Sequence, residues 1–120
     1  MLFTNFVVGD KEYKCKLNTK SLVNLEKRLG MNPLNIFMNL SENNLPKLED
    51  MLIILHESLQ SLEHGISMDD VYDIYYAFIE DGHNMLELMP IIIEIFKVSG
   101  LIPKDEEKKT KSKKVADSKN

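Results

Sequence analysis

Three histidines, one cysteine and a run of acids are the residues of this chain with chemistry to offer. His56-Glu57 has the opening of a zinc-protease helix, but position 60 is Gln, so the second ligand of that motif is missing. His64 precedes Gly65 and His83 follows Gly82, which places both at helix ends, where a histidine commonly bonds a free backbone carbonyl. Neither has the ligand spacing of a metal site. Asp69, Asp70 and Asp73 lack the alternating ligands and the glycine of a calcium loop. Cys15 falls on the inward side of a predicted strand with no histidine nearby, a packing position rather than a nucleophile's. No glycine-rich loop is present to cradle a phosphate. The expectation is a protein that is not an enzyme and holds no metal or cofactor.

What remains is surface for other proteins. Tyr72, Tyr75 and Tyr76 cluster beside Asp69 and Asp73, the amphipathic type of residue favoured in interface cores. Tyr72 and Tyr76 are the expected contacts, with Asp69, Asp73, Glu80 and Asp81 steering a partner by charge. Leu48, Leu52 and Leu55, together with Ile92, Ile95 and Phe96, are expected to serve the core or an assembly contact. Seven methionines suit either core filling or an adaptable binding face.

Those side chains need elements to hold them. Leu2 to Val8 and Glu12 to Leu17 read as two strands around a Gly9-Asp10 turn. Tyr13, Cys15 and Leu17 then face inward while Glu12, Lys14 and Lys16 face water. Asn18 to Ser21 offers helix N-caps, Leu22, Leu25 and Leu29 mark one face, and Gly30 ends the helix. Asn32-Pro33 restarts a helix in which Leu34, Phe37 and Met38 share a face. Pro46 opens a longer one, whose Leu48, Leu52, Leu55, Leu59 and Leu62 run to Gly65 at coiled-coil spacing, more in keeping with a core face than with a coiled coil. Ser67 and Asp70 form a variant capping box for a helix reaching Gly82, with Met68, Val71, Tyr72, Tyr75, Phe78 and Ile79 lining one side. Asn84 caps the last helix, apolar nearly all round, with Pro90 as a kink on its polar stripe. That helix is expected to be central, or to meet another chain along part of its length.

With 120 residues and 43% hydrophobic content there is room for one domain with a modest core. The fold class is mainly α (α+β): an N-terminal hairpin packed on about four to five helices over 1–103, then a disordered, lysine-rich tail over 104–120. That tail carries seven lysines and four acids, a net of +3; the chain as a whole carries −4, so 1–103 carries −7. From Glu63 to Glu94 there are eight acids and no Lys or Arg. An acidic body argues against nucleic acid as partner, since neutralising phosphates takes clustered cations. One cysteine makes no internal disulfide, no signal peptide is visible, and no apolar run approaches the ~18 residues of a membrane span. A soluble, cytoplasmic protein with no membrane partner is expected.

One family pattern matches these residues in order. Leu17-Asn18-Thr19, Leu25 to Gly30 and Asn32-Pro33-Leu34 are followed by Leu45-Pro46-Lys47, Ile54-Leu55-His56 and His64 to Ser67. Asp69 to Tyr72, Glu80 to His83, Leu88-Met89-Pro90, Glu94-Ile95-Phe96 and Gly100 complete it. Over residues 13–103 the chain resembles the tail assembly chaperones of long-tailed, siphovirus-type phages and prophages of Gram-positive bacteria. The resemblance implies a temporary scaffold that coats the tape-measure protein, helps recruit tail-tube subunits, and is absent from the mature virion. It also implies a longer form made by ribosomal frameshift, for which Lys108-Lys109 and Lys113-Lys114 are candidate A-rich codon pairs. Weak self-association that strengthens on the client is expected. The rival from another class is a small regulatory adaptor or inhibitor that binds one target at one site.

Overall fold

The computed structural model describes residues 1–38 and 40–103; the tail expected over 104–120 lies outside them. Strands β1 (Thr4–Val8) and β2 (Lys11–Cys15) pair antiparallel, Phe6 opposite Tyr13 and Thr4 opposite Cys15. Gly9 turns the chain between them at φ 62, a left-handed conformation that a side chain would strain. Alternation sends Thr4, Phe6 and Val8 inward, and Cys15 and Leu17 follow from the second strand. Lys16 departs from its expected place in water. It is half-buried and donates to the carbonyls of Leu2 (2.8 Å) and Val98 (3.1 Å).

Helix α1 (Thr19–Leu29) starts at Asn18, whose side chain accepts the Ser21 N–H, and stops at Gly30, φ 71. Asn32-Pro33 does start a helical turn, but it is a single 3-10 segment, Pro33–Phe37, and Met38 beyond it is exposed. Helix α2 (Leu48–Leu59) is shorter than its leucine spacing implies and stops well before Gly65, so Leu62 lies outside it. The reason is a competing donor. The Ser58 carbonyl takes the N–H of Lys16 at 2.8 Å, where a continuing helix would bring the N–H of residue 62. The Gln60 side chain also folds back onto the carbonyls of His56 and Ile66.

Helix α3 (Met68–Glu80) has the expected Ser67–Asp70 capping box, with both bonds made. Asn84 caps a short 3-10 turn, Met85–Glu87, which runs into α4 (Leu88–Val98). Pro90 is the third residue of α4, inside the first turn. An N–H there has no intrahelical acceptor, so proline costs little and no kink is required.

The central helix is α2, not α4 as its near-continuous hydrophobicity suggested. Met51, Ile54, Leu55 and Leu59 are wholly buried, and α2 touches α1, α3, α4 and β2. Helix α4 packs Leu88, Ile92, Ile95 and Phe96 inward against α2 and β1, leaving Met89, Ile91 and Ile93 half-covered and Pro90 and Glu94 exposed. Phe37 packs edge-on to Phe96 at 5.8 Å, and Phe6 meets Phe78 at 5.2 Å. Among the described residues no helix is long and apolar enough to cross a membrane.

Candidate protein-binding surface

Helix α3 divides cleanly, and Tyr72 does not lie on the apolar side expected for it: a step of one from Val71 turns it about 100° away. Val71, Ile74 and Phe78 are buried, with Tyr75 half-covered beside Phe78. Steps of three and four from Asp69 gather the opposite face: Asp69, Tyr72, Asp73, Tyr76 and Glu80, all exposed. Tyr72 is 50% exposed and Tyr76 66%. The face is therefore two adjacent phenol rings set among three carboxylates. Only Tyr75, the third tyrosine of the cluster, turns toward the core, and desolvation raises its phenol above the usual value.

Beside that face runs a groove of about 520 Å³ between α3 and the hairpin turn. Asp10, Lys11 and Tyr13 form one wall; Asp73, Ala77 and Glu80 form the other. Asp81, at the end of α3, fixes the turn by accepting the Gly9 N–H at 3.0 Å. A carboxylate on a backbone donor is a charge-assisted bond, so the groove has a defined width at this end. Such a surface has no nucleophile and base in register. It suits an apolar or amphipathic segment carrying positive charge.

The other sequence-derived candidates are placed differently. Leu52, Leu55, Ile92, Ile95 and Phe96 are buried in the core. Of the core and assembly roles open to them, burial assigns the core, and as partner-binding residues they are corrected: a side chain without exposed surface cannot desolvate a partner. Leu48 is half-covered against the same core. The methionines divide likewise: Met51 is core, Met31, Met68, Met85 and Met89 pack partly against it, and Met1 and Met38 are exposed.

His56 and His83 serve structure, by routes the sequence did not give, and His64 is exposed. A guanidinium only donates, so at 2.9 Å from Arg28 the Nδ1 of His56 accepts, and its Nε2–H donates to the Ile66 carbonyl at 3.0 Å. The neighbouring Glu57, almost buried, takes the same Arg28 nitrogen at 2.9 Å. Arg28 thus joins α1 to α2 and reaches Met68 at the start of α3. His83 bonds Glu87 rather than a carbonyl, at 3.0 Å, lies 3.6 Å from Asp81, and stacks on Phe78 with ring centroids 4.6 Å apart. Among the described residues no group of His, Cys, Asp and Glu could hold a metal ion.

Cys15 is fully buried, and desolvation pushes its thiol up to about 12 from an ordinary 9.0. A buried thiol held protonated well above the usual range is a poor nucleophile. The raised value also fixes a sign for stability. Below the unfolded pKa the contribution is complete, and it is lost as pH rises from about 9 through 12.

Sequence reasoning missed the Arg28 junction and the Lys16 strap. Each joins residues at least fourteen positions apart, and neither has a local pattern. Comparison with known proteins adds a family: the Family of unknown function (DUF6096) matches residues 3–119, from the edge of β1 into the lysine-rich segment. No curated protein and no solved structure matches the chain.

Proposed function

The chain belongs to that family of unknown function, DUF6096, and we propose, on the sequence resemblance and the exposed face of α3, that it is a tail assembly chaperone of a long-tailed phage or prophage of Gram-positive bacteria. It works in the host cytoplasm as a temporary coat on the tape-measure protein and helps to recruit tail-tube subunits. The ordered resemblance over residues 13–103 suggests this role. The observation that carries it physically is the free outer face of α3, where Tyr72 and Tyr76 stay in water although the core is complete without them. Exposed tyrosines offer a partner large contact area at low entropic cost, and the acids around them repel other acidic surfaces. A long helical client with apolar and basic stripes fits such a face, and many copies bind along it in series.

Co-expression with a tape-measure protein from the same genome tests the proposal. A soluble complex with several copies per client is expected, and Tyr72→Ala with Tyr76→Ala should abolish it while the chain stays folded. No co-purification under gentle salt overturns the role. One copy per client instead supports the adaptor or inhibitor, which the single compact face of α3 also suits.

A further inference from the structure

We propose that the lysine run over residues 108–114 of this same chain docks on the acidic groove between the hairpin turn and α3. The groove is short of positive charge. Asp10, Asp73 and Glu80 line it against a single Lys11, and Asp69 extends the acidic surface one turn along α3. Among the described residues none of these four carboxylates makes an ion pair; the pairs present are Arg28–Glu57 and His83 with Asp81 and Glu87. Residues 108–114 hold five lysines and no acid.

Position fits as well as charge. The end of α4 is fixed at the open end of the hairpin, where Ser99 Oγ accepts the Leu17 N–H at 2.9 Å and the Leu101 N–H bonds the Phe96 carbonyl at 2.9 Å. The groove lies at the other end of the same hairpin, along β2 from Leu17 to Lys11, or about 20 Å. The lysine run begins five residues beyond Pro103 and ends eleven beyond it, by count along the chain. Chain extension allows those residues to reach about 17 and about 37 Å. The run therefore spans the distance to the groove.

Individually, surface pairs of this kind are weak and screened by salt. A short tether compensates by holding the lysines at an effective concentration on the order of millimolar.

A nitroxide placed by Ser112→Cys in the full chain tests this without any client, so the outcome is separate from the chaperone proposal. The buried, protonated Cys15 leaves position 112 as the labelling site. At about 0.01 M salt, amide signals of Gly9, Lys11, Ala77 and Glu80 should lose at least about half their intensity, and recover near 1 M, where the screening length is about 3 Å. Asp73→Asn with Glu80→Gln should remove the broadening while the remaining spectrum stays in place. Broadening elsewhere, or nowhere, overturns the proposal. So does equal broadening of an isotope-labelled chain by a separate nitroxide-bearing chain, since the occupant is then a second copy.

Discussion

Helices α2 and α3 are neighbours of nearly equal length, 12 and 13 residues, yet they do opposite work. Seven residues of α2 are buried, including Glu57 and Ser58, and its surroundings come from both strands' side of the molecule and from three other helices. Helix α3 buries three residues and keeps a tyrosine face in water. The difference teaches where stability and recognition are separated in a small domain. Burial on all sides leaves no surface for a partner, whereas a helix at the edge can hold its place with one stripe and offer the other.

Substitutions in the two helices should therefore behave differently. The largest effect is expected for Leu55→Ala in α2, a wholly buried side chain whose loss should cost about 2–5 kcal/mol in urea unfolding. A cost below about 1 kcal/mol would remove α2 from the centre of the fold. Next comes Arg28→Ala, which leaves the nearly buried Glu57 carboxylate without its cation and His56 without its donor. About 1–3 kcal/mol is expected, and Glu57→Gln in the same chain should recover part of it.

Ser67→Ala at the start of α3 should cost about 1 kcal/mol, the usual value of a lost N-cap. The same box predicts a pH effect. Bonds from the Ser67 backbone and hydroxyl hold the Asp70 carboxyl below its ordinary 3.8. Its contribution is present above that unfolded value and lost as pH falls through the folded one, so the acid limb of a stability profile should flatten in Asp70→Asn. Smallest of all, Tyr72→Ala and Tyr76→Ala should change stability by less than about 0.5 kcal/mol each while removing partner binding. A large loss of stability in either would make the tyrosine face part of the fold and end the contrast with α2.

Much of this architecture was legible in local pattern. Alternation around Gly9-Asp10 marked the hairpin, Ser67 and Asp70 marked the start of α3, and Gly30 marked the end of α1. Tyr72 and Tyr76 were named beside Asp69 and Asp73 from their nearness in sequence, but the face that gathers them apart from Tyr75 came only with the structure. The end of α2 was not legible, because the donor that replaces its helical bond comes from Lys16, far away along the chain. Nor was the rank of α2 over α4. Both are apolar in sequence, and hydrophobicity alone cannot say which of two apolar helices the others surround.

The sequence by itself determined the hairpin, the main helices and the caps at Asn18, Ser67 and Asn84, since these follow from spacing and from bonds within a few residues. It also determined the charge contrast between an acidic body and a lysine-rich end. Only the tertiary structure decided that Ile92, Ile95 and Phe96 are core, that Lys16 ties chain ends together, and that the hairpin turn meets α3 in a groove. The reason is physical: burial and long-range hydrogen bonds are properties of what surrounds a residue, and one stretch of chain specifies its own periodicity but not its neighbours.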